Sequence, residues 1–491
     1  MELRFVKKPS QKSLFILPVF AKSAQTHAGA ARKILAELKQ TKEFSAKSGQ
    51  MFFLFQQSKK LPPHTLLLGL GDPAKLKSAE LMECFGGAVK QAPHHRPHTV
   101  SVVLPEELHV HSQAVAEACV MGSYQPAAPY KTGKSAKKIA EQKVNVLEVI
   151  GLEKNEAAKR AFQKGAYFGD TVNQVRDWVN APPNYAHADF FDQKAKEISE
   201  ETGAKLTILY KKEIEKLKMG MLLGVNRGSH QEPRLTILDY NPREADSKEA
   251  PVVLVGKGIL FDSGGYNLKP RGYIEDMQLD KAGAAAVFAV MKLLPKLGIK
   301  KRIIAVAPFT ENLIGGRALK PSEILTSYSG KTVEITNTDG EGRLVLGDAI
   351  AYAIDQFKPR YVIDVATLTG ACMVALGDRY AGLFGNDREL MKRLRAAGKE
   401  TDELLWPLPL HKDHAEKMRG QYADLRNADL GSERDAGASK GAAFIQAFVG
   451  KTKWAHLDIA GPAFTKNPKK YEHKGATGFG VRVLARFLEQ L

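Results

Sequence analysis

Pro251-Val252-Val253-Leu254-Val255-Gly256-Lys257-Gly258-Ile259-Leu260-Phe261-Asp262-Ser263-Gly264-Gly265 is the stretch that decides the fold. The apolar run Val252–Val255 reads as a strand buried on both faces. Polar residues follow it at once. In open α/β sheets ligands bind at the carboxyl ends of strands, so residues 256–280 stand where chemistry is expected. Working outward, Lys205–Tyr210, Arg234–Asp239, Arg302–Ala307 and Tyr361–Val365 read as further buried strands. Ala282–Leu294 and Leu344–Phe357 read as helices between them. In the second, Leu346, Ile350, Ala353 and Phe357 recur at helical spacing and are expected to face the sheet.

The first 150 residues repeat the alternation. Leu14–Phe20, Met51–Phe55, Leu66–Leu70, Val100–Leu104 and Val144–Leu152 read as strands, and Ala28–Gln40 as a helix. The predicted class is α/β: a smaller N-terminal domain (1–150), a linker helix region (151–167), and a larger C-terminal domain (168–491) with a central mixed sheet flanked by helices. A helix is expected from Glu156 to about Asn180, stopped by Pro182-Pro183. Gly69-Leu70-Gly71 reads as a glycine turn after a strand. It lacks the third glycine of a dinucleotide fingerprint. Lys131-Thr132-Gly133-Lys134-Ser135-Ala136-Lys137-Lys138, after Pro126 and Pro129, reads as a solvated loop or linker, without the upstream glycine of a P-loop. His94, His95 and His98 sit beside prolines with no cysteine or carboxylate at ligand spacing, and read as an exposed loop.

The 491 residues are 44% hydrophobic and 26% charged, an ordinary globular balance that argues against a disordered chain. No apolar run approaches the ~18 residues of a membrane span, so no membrane partner is expected. Cys84, Cys119 and Cys372 are far apart, which disfavours a disulfide framework and suits a reducing compartment. Leu14–Phe20 is broken by Pro18 and reads as a core strand, not a signal peptide; the cytoplasm is the expected location. Lys and Arg number 72 against 54 Asp and Glu, a net +18. Residues 1–150 hold 21 basic against 11 acidic residues. A basic surface attracts polyanions, though lysine-rich faces are also common on soluble proteins.

Two more polar segments follow strand-like runs: Asn337-Thr338-Asp339-Gly340-Glu341-Gly342-Arg343 and Asp364-Val365-Ala366-Thr367-Leu368-Thr369-Gly370. Taken singly, each has a structural reading. Asp339 or Glu341 could cap a helix, Asp262-Ser263-Gly264-Gly265 could be a turn, and Lys257 and Lys269 could be surface lysines. Charge arithmetic separates the readings. If Asp262, Asp280, Asp339 and Glu341 converge, four negative charges away from water demand neutralisation. Two divalent cations supply it, and oxygen-rich sites suit zinc, manganese or magnesium pairs.

These stretches resemble the leucyl aminopeptidases, the cytosol aminopeptidase family of two-metal exopeptidases. The most specific matches are Asn337–Leu344, with Gly340 where the family has alanine, and Lys257–Gly265 with Leu268-Lys269-Pro270. Val179–Asn184, Asp364–Gly370, Trp454–Gly461 and Gly475–Gly480 support them. The resemblance covers about residues 165–491. It departs at Gln278, at Lys281, at Glu311–Ala318 and at Ser432–Ala443, where Ala438-Ser439-Lys440 replaces a glycine–isoleucine–threonine run.

The resemblance implies roles. Asp262 and Glu341 would bridge two metal ions, Mn²⁺ or Zn²⁺. Asp339 would complete one site, and Lys257 with Asp280 the other. Lys269 would stay charged and polarise the scissile carbonyl, while Arg343 would hold a bicarbonate that acts as general base. Met277, Asn337, Thr367, Leu368 and Gly370 would contact the substrate. A hydroxide shared by the metals would attack, and the free α-amine would ligate one of them, so N-terminal residues, preferably apolar ones such as leucine, would be released from peptides. The resemblance further implies a homohexamer, a dimer of trimers, and makes DNA a candidate partner of the basic N-terminal domain. A nucleic-acid-binding protein and a catalytically dead homologue are the competing readings. No helix-turn-helix, zinc finger or RNA-binding motif supports the first, and the intact matched positions disfavour the second.

Overall fold

A computed structural model of the chain describes every residue except 22–28, 56–60, 93–97, 126–129, 247 and 430–434. His94, His95, Pro126, Pro129 and the first residues of Ser432–Ala443 therefore lie outside the described residues. The chain forms two compact units, Met1–Asn173 with Lys466–Lys474, and Gln174–Thr465 with Gly475–Leu491. They divide between Asn173 and Gln174, inside the helix Glu156–Asn180.

The first unit is built on β1 (Glu2–Phe5), β2 (Leu14–Phe20), β3 (Met51–Phe55), β4 (His64–Gly71), β5 (Thr99–Val103) and β6 (Val146–Ile150). They form one sheet in the order β1-β6-β5-β2-β4-β3, parallel except for the β3–β4 pair. Every residue of β2 is buried, as its unbroken apolar run requires. Two sequence expectations need correction. Gly69 and Gly71 belong to β4 itself and make no turn after it. A side chain on Gly69 would stand 2.3 Å from the Lys47 carbonyl oxygen, so glycine here permits close backbone approach. The lysine-rich stretch is not a loop: Gly133–Glu141 is a helix, none of it buried. Its Lys, Ala and Glu residues are strong helix formers, which the reading from charge alone overlooked.

The second unit carries a mixed sheet of β7 (Lys205–Leu209), β8 (Arg234–Tyr240), β9 (Val252–Gly256), β10 (Gly258–Asp262), β11 (Ile303–Asn312), and further along the chain β14 (Tyr361–Ala366), β15 (Tyr380–Gly385), β16 (Leu404–Pro407) and β18 (Lys453–Asp458). Three short strands, β12 (Ile324–Thr326), β13 (Thr332–Glu334) and β17 (Leu425–Arg426), form a separate sheet. The main order is β16-β15-β18-β14-β9-β11-β8-β7, with β10 added to β11. The centre, β18-β14-β9-β11, is parallel. Alternate residues serve opposite layers. Val253, Val255, Ile304 and Val306 join one core with Leu344, Ile350 and Phe444. The opposite face of β9, β11 and β14 packs against the helix Ala282–Leu293. That helix comes close because Gly283 has no side chain: a Cβ there would stand 2.0 Å from the Val365 carbonyl oxygen. No described helix is long and apolar enough to cross a membrane.

Candidate metal centre

The segments that follow the central strands β9 and β14, the added strand β10 and the short strand β13 of the separate sheet deliver the site. Lys257 lies between β9 and β10, its N–H donating to the Val365 carbonyl at 3.0 Å. Asp262 ends β10. Asp280 sits in the short 3₁₀ turn Met277–Lys281 that runs into the helix Ala282–Leu293. Asp339 precedes, and Glu341 begins, the helix Glu341–Phe357, which starts three residues before the expected Leu344. An acidic residue in a first helical turn is electrostatically favoured, and here the turn is buried.

The structure brings Lys257, Asp262, Lys269, Met277, Asp280, Asn337, Asp339, Glu341, Arg343, Thr367, Leu368 and Gly370 to the lining of one cavity of about 670 Å³. Three carboxylates form its floor. Asp262, Asp280 and Glu341 each turn an oxygen to a common point, all within 4.8 Å of one another, and all three residues are buried. Lys257 Nζ lies 2.8 Å from Asp280 Oδ1 and 2.8 Å from Glu341 Oε1. Lys269 Nζ lies 2.8 Å from Asp262 Oδ2 and 2.6 Å from Asp339 Oδ1, so Asp339 joins the cluster across that lysine. Arg343 Nη1 donates to the Asn427 carbonyl at 2.7 Å.

Burial and crowding dominate the electrostatics. Burial raises the Asp280 carboxyl to about 8, Lys257 opposing and Asp262 and Glu341 reinforcing the rise. Burial likewise raises Asp339 to about 7, with Asp262 and Glu341 adding to it. Burial alone would raise Glu341 too, but Lys257 and Lys269 hold it below the ordinary carboxylate value. For Lys257, desolvation is outweighed by Asp280, Glu341 and Asp262, and its ammonium is held well above the usual lysine range.

The donor set fits divalent cations. Asp280 Oδ2 and Glu341 Oε2 are buried without a hydrogen-bond partner. Orphaned buried carboxylate oxygens are costly in a protein interior and are what a cation satisfies. Oxygen-rich donor sets of this kind suit divalent cations.

Some residues that hold the site carried no role in the sequence. Asn312 Nδ2 donates to Asp262 Oδ1 at 2.8 Å and to the Thr338 carbonyl at 3.1 Å. It fixes one Asp262 oxygen, together with the Gly264 N–H at 2.9 Å. Its signal was a polar residue ending an apolar strand, the position that marks β10 as well. Asn427 Oδ1 accepts from the N–H groups of Thr336 (2.8 Å) and Asn337 (3.2 Å), pinning the loop before Asp339. It lies after the two-residue strand β17 and had no sequence signal. Lys440, where the resemblance failed, lines the same cavity and is paired with Asp429 and Asp435 at 3.1 and 2.8 Å.

Fold and site are those of metal-dependent peptidases. Residues 173–485 match the catalytic domain of the cytosol aminopeptidase family, and residues 16–137 its N-terminal domain. A probable cytosol aminopeptidase of Geobacter sp. (strain M21) is 40% identical over 458 residues, 93% of this chain and 91% of that protein. One of Protochlamydia amoebophila (strain UWE25) is 36% identical over 495 residues, 99% and 97% of the two chains. Among solved structures, the bottromycin maturation enzyme BotP in complex with Mn aligns with a TM-score of 0.83 at 30% identity, covering 97% of this chain and 98% of that one. The chain belongs to the cytosol aminopeptidase family.

Proposed function

We propose that this aminopeptidase releases N-terminal residues, apolar ones such as leucine foremost, from peptides with two divalent cations, Mn²⁺ or Zn²⁺. The observation that carries the reading is the trio Asp262, Asp280 and Glu341, buried with two orphaned oxygens at the floor of a cavity with an apolar wall. Asp262 and Glu341 would be shared by the cations, Asp339 would complete one site, and Lys257 with Asp280 the other. Lys257 ligates only as a neutral amine, so the ammonium it carries between Asp280 and Glu341 in the metal-free chain would give up its proton as the cations bind. When bound, such a pair supplies Lewis acidity and a water activated near neutral pH.

The chain's own groups do the rest. Lys269 offers a fixed positive charge to the oxyanion that develops on the scissile carbonyl. Arg343, at the N-terminal turn of a helix, provides an anion site that would hold bicarbonate as general base. Met277, Leu368, Gly370, Met373 and Ala460 would receive the first side chain, with Thr367 at the edge nearest the carboxylates and Asn337 a further substrate contact. An apolar pocket discriminates a single methylene only ~10–200-fold, so the specificity is broad. The proposed setting is the cytoplasm, and the proposed assembly a homohexamer of two trimers. A sedimentation mass near that of the 53.9 kDa monomer would refute that assembly.

The experiment is hydrolysis of an aminoacyl amide series with Mn²⁺, Zn²⁺ or chelator present. Leucyl amide should be cleaved, N-acetyl-leucyl amide should not, and chelator should stop turnover. Cleavage of the blocked amide would reject the exopeptidase reading.

A second reading has one specific observation in its favour. The helix Gly133–Glu141 exposes Lys134, Lys137 and Lys138, a basic strip suited to phosphate contacts. If the N-terminal unit binds DNA, affinity should fall steeply with salt and collapse when Lys131, Lys134, Lys137 and Lys138 are neutralised. Affinity indifferent to those changes would end this reading.

A further inference from the structure

Asp458, the last residue of β18, is fully buried. It stands behind the cavity wall, and the wall hangs on it. Its Oδ1 accepts the N–H groups of Leu368 at 3.1 Å, Thr369 at 3.4 Å and Ala460 at 3.2 Å. Its Oδ2 accepts the Thr369 hydroxyl at 2.7 Å. Leu368, Thr369 and Ala460 all line the cavity. The Thr369 oxygen accepts in turn from the Cys372 N–H at 3.0 Å, starting the helix Gly370–Leu376. Met373 and Val374 of that helix extend the apolar wall.

The same turn reaches the carboxylate floor from its other end. The Thr367 carbonyl accepts from Lys257 Nζ at 2.9 Å, and the Thr367 hydroxyl donates to Asp280 Oδ1 at 2.6 Å. Residues 367–369 thus touch two proposed metal ligands at one end and form the pocket wall at the other. One buried carboxylate sets their position.

We propose that Asp458 is a positioning residue: it shapes the pocket for the substrate's first side chain and, through the turn Thr367–Thr369, couples that pocket to Lys257 and Asp280. This inference rests on the aminopeptidase reading above. The anchor works because a carboxylate can accept several hydrogen bonds at once, and a buried one whose donors are backbone N–H groups holds a loop in a single arrangement.

The test uses the full-length enzyme loaded with Mn²⁺. Wild type, Asp458→Asn, Thr369→Val and Thr369→Ser are compared on leucyl and glycyl p-nitroanilides, with Mn²⁺ affinity read by chelator competition and folding by thermal melting. Leucine fills the pocket and glycine leaves it empty. Asp458→Asn and Thr369→Val should lower the leucyl-to-glycyl ratio of kcat/KM by roughly tenfold, mainly through the leucyl KM. The same two variants should weaken Mn²⁺ by about tenfold, as loss of an outer support does. Thr369→Ser keeps the hydroxyl and should keep both properties. If Asp458→Asn does not fold, Thr369→Val carries the test, since it removes only the hydroxyl's two hydrogen bonds, to Asp458 and from the Cys372 N–H, and preserves shape. Leucyl and glycyl rates that fall together, or an unmoved ratio, would overturn the pocket role. A shifted ratio with unchanged Mn²⁺ affinity would overturn the coupling. A wild type that hydrolyses neither substrate overturns the aminopeptidase reading as well; one that hydrolyses both while the ratio stands still overturns only this inference.

Discussion

The Cβ position of Gly342 lies 2.4 Å from Lys257 Cε and 2.7 Å from Lys257 Nζ. Lys257 itself is held between Asp280, Glu341 and the Thr367 carbonyl, so it has little freedom to yield. Gly342→Ala is therefore expected to push the amine off the carboxylates while adding only a methyl to the helix. Overpacking of this kind costs about 1–3 kcal/mol, so the variant should fold. Its Mn²⁺ affinity should drop roughly 10–100-fold, the range seen when a ligand's support is disturbed. Isothermal titration of the two proteins decides the matter; equal affinities would show that Lys257 is not a ligand.

Lys257 also stabilises the metal-free protein. It is buried beside two buried carboxylates, and removing one partner of such a group typically costs about 3–5 kcal/mol. Lys257→Ala should melt well below wild type in chelator and recover part of the difference in Mn²⁺, because a ligand that binds only the folded state stabilises it. An unchanged melting temperature in chelator would contradict the geometry.

Lys269 is placed differently. Its side chain keeps about a sixth of its surface exposed while pairing with Asp262 and Asp339. A group that acts on a developing oxyanion contributes mainly in the transition state. Lys269→Ala should lower kcat by roughly 10²–10³-fold, with a smaller effect on stability than Lys257→Ala. Turnover like that of wild type would remove Lys269 from the chemistry.

Asp348 offers a test of pH dependence away from the site. Its Oδ2 accepts the N–H groups of Met221 and Leu222, both at 3.0 Å, and its Oδ1 that of Tyr328 at 2.7 Å. Burial lifts its carboxyl to about 7, those hydrogen bonds opposing the rise. A folded-state value above the unfolded one means that the native protein holds the extra proton. Stability contributed by this group is then present below the ordinary aspartate range and lost as pH rises toward about 7. Asp348→Asn should flatten the stability-versus-pH curve between those limits in urea denaturation. A slope identical to that of wild type would refute the assignment.

Much of this was legible in the sequence, for a physical reason. Val252–Val255 and Tyr361–Val365 are buried on both faces, and their apolar runs could hardly be anything but central strands. The helix Glu156–Asn180 was readable because prolines stop it. Asp262 and Asp280 drew notice because they follow an apolar strand run; that they meet Asp339 and Glu341 was implied by the family resemblance, and charge arithmetic added that such a meeting asks for cations. Other features left no local trace. β10 is a strand of its own, pairing with β11, where the sequence marked Gly258–Asp262 only as part of the segment after β9. β1 is a half-exposed four-residue edge strand, defined only by its parallel partner β6. Asn312, Asn427 and Asp458 each hold a partner 50 or more positions away, as far as 91 for Asn427, and no periodicity encodes such partners.

The central claim is that Asp262, Asp280, Asp339, Glu341 and Lys257 hold two cations that the reaction needs. Equilibrium dialysis of chelator-stripped protein against Mn²⁺, with leucyl amide hydrolysis followed in the same samples, tests it directly. Two ions per chain are expected, with no turnover in stripped protein and turnover that returns as the second ion binds. Full hydrolysis by stripped protein, or fewer than two ions bound at saturation, would contradict it.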